Sequence, residues 1–183
     1  TQTSTVIGTV TLASGPLNLA LSSDGSRLYA VLSNANKVSQ IDTSTLTVLE
    51  TYTVGTFPWG IAVSPDGSKV YVANADSGSV SVITIARNNV PSSIASIRLD
   101  TSDHTGSRPF GLALTPDGRK LFVAVYSWDE VLVISTASAT VTDTITRGTG
   151  HEPYGVAINP AGTRAYVTNW AASSVTVIDT ATR

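Results

Sequence analysis

The stretch Pro58-Trp59-Gly60-Ile61-Ala62-Val63-Ser64-Pro65-Asp66-Gly67-Ser68-Lys69-Val70-Tyr71-Val72-Ala73-Asn74 reads as two short strands joined by a tight turn. Val, Ile and Tyr crowd both flanks, which favours a pleated surface over a helix. Between them Pro65 presets φ, Asp66 bonds back to its own backbone, and Gly67 takes the positive φ that re-enters the ladder. Gly60 and Ala62 are small at alternate positions, so the first strand can approach a neighbour closely. Ser79-Val80-Ser81-Val82-Ile83 follows as a third strand.

The same unit is written four times. Its turn returns as Ser22-Ser23-Asp24-Gly25, Thr115-Pro116-Asp117-Gly118 and Asn159-Pro160-Ala161-Gly162, at steps of 42 to 51 residues. Upstream stand Leu17-Asn18-Leu19-Ala20-Leu21, Phe110-Gly111-Leu112-Ala113-Leu114 and Tyr154-Gly155-Val156-Ala157-Ile158. A Val/Thr-alternating segment such as Ala139-Thr140-Val141-Thr142-Asp143-Thr144-Ile145 supplies a fourth strand, and no 3.6-residue period appears. The expected fold is all-β: a single β-propeller domain over residues 1–183, with four four-stranded antiparallel blades.

These residues closely resemble the YVTN family of β-propeller repeats. Tyr71-Val72-Ala73-Asn74 and Tyr166-Val167-Thr168-Asn169 carry its motif, the second in full, and Val177-Ile178-Asp179-Thr180 with the Pro-Asp-Gly turns completes it. The first unit departs with Asn18 at the strand glycine, and the last with Ala161 at the turn aspartate. The resemblance implies either a non-catalytic surface or secreted binding protein, or an enzyme of the lactonase or lyase kind with its site at the channel mouth. It also implies an extracellular, cell-surface or periplasmic setting.

The last unit ends after its third strand, while an extra strand, Thr5-Val6-Ile7-Gly8-Thr9-Val10-Thr11-Leu12, precedes the first. Read from end to beginning, the turn-to-turn step across this seam is 46 residues, inside the internal range. The N-terminal strand, within residues 1–12, is therefore expected to complete the last blade in cis or in trans. In cis the product is a closed four-bladed ring. In trans, two chains joined head to tail make an eight-bladed homodimer, the expectation preferred here because two-fold closure leaves no strand edge in water. A piece of a longer chain is the third arrangement, and the start at Thr1 with no Met reads as a processed or trimmed product.

Composition narrows the chemistry. The 13% charged content is about half the usual share, and the net charge of −2 with no Lys/Arg run argues against nucleic acid. No apolar run reaches the roughly 18 residues needed to span a bilayer. With no cysteine there are no disulfides or thiolates, and neither a Gly-x-Ser-x-Gly elbow nor a glycine-rich phosphate loop is present. No cofactor is expected.

The resemblance places ligand sites on the face bearing the connections into each first strand and the loops between second and third strands. His104, Arg108, His151 and Glu152 fall there, as do Trp59, Phe110, Tyr154, Trp128 and Trp170. His104 and His151 stand in equivalent places of adjacent units, and with Arg108 and Glu152 they can bind an anion or move protons; alternatively they are solvated, with His151 and Glu152 pairing locally. No tight histidine spacing supports a metal. Trp59, Phe110 and Tyr154 share one repeat position, where they either pack between blades or line an aromatic mouth. Small or polar flanks predict surface exposure for Trp128 and Trp170. The favoured reading is a binding or scaffold module holding a small molecule, glycan or protein segment. Its rival is a channel-mouth enzyme, a lactone hydrolase or lyase, using His104, His151, Glu152 and Arg108.

Overall fold

Each turn closes as its residues dictate. Gly67 adopts φ +70° and donates its N–H to the Ser64 carbonyl at 2.8 Å, while the Asp66 carboxylate accepts from Ser64 Oγ and from the Ser68 N–H and hydroxyl. Asp24 and Asp117 are held in the same way. These hydroxyl and N–H donors keep the three carboxyls below the usual carboxylate range, Asp24 at about 2. The computed structural model from which this follows describes residues 4–86, 91–100, 105–146 and 151–181.

The strands form four antiparallel sheets. Blade 1 comprises β1 (Asn18–Leu21), β2 (Arg27–Leu32), β3 (Lys37–Asp42) and β4 (Thr47–Thr53). Blade 2 comprises β5 (Pro58–Val63), β6 (Lys69–Asn74), β7 (Ser79–Ile85) and β8 (Pro91–Arg98). Blade 3 comprises β9 (Pro109–Leu114), β10 (Lys120–Val125), β11 (Glu130–Ser135) and β12 (Thr140–Ile145). Blade 4 has three strands among the described residues, β13 (Pro153–Ile158), β14 (Arg164–Asn169) and β15 (Ser174–Asp179), with β15 outermost. The only helical segments among the described residues are two 3₁₀ turns, Ser33–Ala35 and Tyr126–Trp128; no helix is long and apolar enough to cross a membrane.

Apolar side chains fill the space between neighbouring blades. Tyr29, Val31 and Tyr52 meet Val70 and Val72; Tyr71 and Ala73 meet Leu121 and Val123; Phe122 and Ala124 meet Ala165 and Val167. In β5 and β9 only glycine fits at positions 60 and 111. A Cβ on Gly60 would collide with the Phe110 carbonyl, and one on Gly111 with the Tyr154 carbonyl. On the turn side Pro65 packs over Gly118 and Pro116 over Gly162. There Lys69 Nζ donates to the Thr136 carbonyl at 3.4 Å, and Lys120 Nζ to the Thr180 carbonyl at 2.8 Å.

The inner strands pack in the order β1, β5, β9, β13, and β13 has no comparable packing against β1. The blades therefore form an open arc. Its two ends leave apolar surface in water: Leu19 and Leu21 on blade 1, Tyr166, Val175 and Val177 on blade 4. Residues 4–12, expected as a strand, form none in this arc, and Val6 and Ile7 are 88% and 90% exposed. Gly8 lies against the Leu46 side chain, so this segment runs beside the end of blade 1 and not along β15.

Candidate functional site

The residues leading into the inner strands converge. Trp59 of blade 2, Phe110 of blade 3 and Tyr154 of blade 4 form one cluster, with ring centroids 5.2 Å apart for Trp59–Phe110, 4.9 Å for Phe110–Tyr154 and 5.7 Å for Trp59–Tyr154. Two are edge-to-face and one is stacked, the preferred geometries for aromatic quadrupoles. Trp59 touches Tyr154 across the whole width of blade 3, so the cluster lies where the inner strands crowd together at the axial side. Tyr126, Phe57 and Trp170 extend it at 5.4, 5.8 and 6.2 Å. Phe110 is buried, Trp59 and Tyr154 are half-buried, and Trp170 is 74% exposed. The rings pack across blades, the first of the two expected alternatives, with Trp59 and Tyr154 left half-buried.

Charged groups flank the rings. Arg108 donates to Asp76 at 3.1 Å with its guanidinium carbon 5.6 Å from the Phe110 centroid, a cation–π distance. The Glu152 carboxylate, nearby, raises the Tyr126 phenol above its ordinary value. His151 Nδ1 lies 2.9 Å from Asp129 Oδ2, and that hydrogen bond raises the imidazole. Asp129 is lowered, first by the Glu152 N–H it accepts at 2.7 Å and then by His151. His151 thus pairs directly with Asp129, and Glu152 acts on it only as a lesser neighbouring charge. His104 lies outside the described residues.

The backbone that positions these groups repeats between blades. Asn36 and Asp129 close their 3₁₀ turns in the left-handed region at φ +56° and +55°, which Asn and Asp tolerate best among side-chain-bearing residues. Each uses its side-chain oxygen to accept an N–H from the segment entering the next blade, from Phe57 at 2.9 Å and Glu152 at 2.7 Å. Phe57 and Glu152 are themselves left-handed, at φ +52° and +57°. Such strain costs about 1–3 kcal/mol per residue and persists only where surrounding contacts over-determine it. In blade 2 Gly78 occupies the left-handed position and Asp100 takes over, accepting from the Ser107 N–H at 3.0 Å and from its hydroxyl.

Trp128 corrects an expectation. Its polar neighbours predicted exposure, but the 3₁₀ turn Tyr126–Trp128 folds the indole back against the core between blades 2 and 3, and Nε1 donates to the Thr105 carbonyl at 3.3 Å. Sequence reasoning passed over Phe57, Tyr126, Asp129 and Asp76 as site residues. The signal available for Asp129 was its alignment with Asn36 and Gly78, all one residue before a third strand. Among the described residues no three His, Asp or Glu side chains gather around a common point.

An arc of propeller blades with an aromatic, charge-flanked inner rim defines the class. Residues 1–183 match the family described as "Lactonase, 7-bladed beta-propeller", and the chain belongs to that family. No curated protein matches it. Among solved structures it is similar to Kuenenia stuttgartiensis hydrazine synthase, with 30% identity over 97% of this chain and 50% of that one, at a TM-score of 0.80. It shares the fold of the Myceliophteria thermophila Cps50 (Swd1) β-propeller domain, at 9% identity over 90% of this chain and 53% of that one, with a TM-score of 0.73. The chain spans about half the length of each of these structures.

Proposed function

We propose that this chain is a binding propeller whose aromatic rim holds the face of a sugar or aromatic ring. The observation that carries the reading is the Trp59–Phe110–Tyr154 cluster, assembled from three blades, with Trp170 exposed beside it. The exposed Trp170 indole and the half-buried Tyr154 ring can stack on planar ligands, while Arg108, Asp76, Tyr126 and Glu152 offer hydrogen bonds around them. In this reading the YVTN-type repeats serve as a rigid frame. Two copies joined head to tail complete an eight-bladed ring and close the apolar ends of the arc; the family description names seven blades, and propellers span roughly four to eight.

Isothermal titration with cellotriose and with benzoate tests the rim. A saturable heat with a Kd below about 1 mM is expected for one of them, weakened at least about tenfold by Trp170→Ala with Tyr154→Phe. Absence of saturable binding for both overturns the reading. A second reading, lactone hydrolysis, draws on the family's description and on Glu152, whose charge acts on Tyr126 near Arg108. Acid release from δ-valerolactone that falls about 100-fold or more in Glu152→Gln favours it over pure binding.

A further inference from the structure

The charges beside the aromatic rim do not all find a partner. Arg108 is matched by Asp76 at 3.1 Å, and His151 by Asp129 at 2.9 Å. Glu152 is the third carboxylate of the group. It is half-buried, and among the described residues no ion pair takes it. The two cations nearest to it are thus already committed to other carboxylates.

The backbone fixes where Glu152 stands. Its N–H donates to Asp129 Oδ1 at 2.7 Å, and its carbonyl accepts the Trp170 N–H at 2.9 Å. It holds a left-handed φ of +57°, and the buried Pro153 leads from it straight into Tyr154. Glu152 is therefore tied directly to the two rings that blade 4 contributes to the rim. Trp170 is 74% exposed and Tyr154 half-buried, with centroids 6.2 Å apart and planes tilted by 41°. Tyr126 lies on the other side, near enough for the Glu152 carboxylate to raise its phenol.

Ring faces beside an unmatched carboxylate favour a cation, because the face of a π-system is negative. The rim already shows this preference, with the Arg108 guanidinium carbon 5.6 Å from the Phe110 centroid. An anionic ligand would instead meet Glu152 with no free cation to offset it. A neutral ligand could stack, but it would shed water from the carboxylate and return no charge. Substituents of a sugar radiate in the plane of its ring. An amine on a sugar stacked against Trp170 therefore projects past the edge of the indole, where a neighbouring side chain can meet it.

We infer that the rim takes an amino sugar, its ring stacked on Trp170 and Tyr154 and its ammonium paired with Glu152. This rests on the ring-binding rim proposed above and adds the charge of its ligand. The Tyr126 hydroxyl oxygen accepts a second N–H of the ammonium, which carries three donors.

Isothermal titration with the glucosamine trimer and with cellotriose separates charge from stacking, since the two differ only by an amine or a hydroxyl on each ring. At about pH 6, where the amine is charged, the glucosamine trimer is expected to bind about tenfold tighter or more. Glu152→Gln should bring the two Kd values within about twofold of each other. The preference should also shrink as salt rises from about 20 to 500 mM, a readout that needs no variant. Equal Kd values in the unmodified chain, or a preference that salt leaves unchanged, overturns the inference and leaves the rim standing. So does a preference that survives Glu152→Gln, or benzoate binding more tightly than the glucosamine trimer. No saturable heat from any of the three removes the rim as a binding site as well.

Discussion

Replacing Gly111 by alanine tests the close approach of the inner strands on which the aromatic rim depends. The added Cβ would collide with the Tyr154 carbonyl and stand 2.8 Å from Gly155 Cα and 3.0 Å from Val156 N. All three are backbone atoms of β13, so no side chain can turn away, and β9 and β13 must separate. Overpacking of this kind costs about 1–3 kcal/mol, and a rigid backbone neighbour places it toward the upper end. For a chain of this size each kcal/mol lowers Tm by about 2–4 °C, so Gly111→Ala is expected to melt about 4–12 °C below the unmodified chain. Gly15→Ala is the matched control, with nothing within 4 Å of its Cβ position. Circular dichroism melts at fixed concentration read both. If Gly111→Ala melts with the control, the inner strands do not approach as described, and the convergence of Trp59, Phe110 and Tyr154 loses its basis.

The remaining predictions concern titration and the corrected tryptophan. Asp24, Asp66 and Asp117 have folded-state pKa values below the unfolded value of 3.8, so their stabilising contribution is present above that value and is lost as pH falls through the folded one. Urea midpoints are therefore expected to hold from pH 7 to 5 and to fall between about pH 4 and 2, and a flat profile to pH 2 contradicts the turn hydrogen bonds. His151 is shifted the other way: its pair with Asp129 is favourable below the unfolded histidine value of 6.5 and is lost as pH rises through the higher folded one. Asp129→Asn should move the His151 NMR titration midpoint down, and an unmoved midpoint excludes the pair. Trp128→Phe removes the hydrogen bond to the Thr105 carbonyl and should cost about 0.5–1.5 kcal/mol in urea unfolding, whereas no loss places the indole in solvent.

Much of the fold was legible because it is written in short-range chemistry. A Pro-Asp-Gly turn is decided by three adjacent residues, and two copies of it with two near-copies, Ser23-Asp24-Gly25 and Pro160-Ala161-Gly162, located the strands around each turn. Gly60 and Gly111 could be read as sites of close approach because only glycine lacks the Cβ that would collide. The site was legible as a list of residues and not as a set of pairs. His151 is caught by Asp129, 22 residues earlier and on the preceding blade, and that same Asp129 also takes the Glu152 N–H. Such pairings follow from how neighbouring blades sit against each other, which no local pattern encodes. Trp128 shows the same limit: its flanks describe the chain around it, while the direction of its indole is set by a 3₁₀ turn and a carbonyl 23 residues away.

The two-copy ring proposed above makes these four blades half of a closed one. End-on class averages from electron microscopy of the purified chain count the blades directly. A round particle with eight blades about a central pore is expected; an open four-bladed arc, or a small closed disc of four, contradicts it.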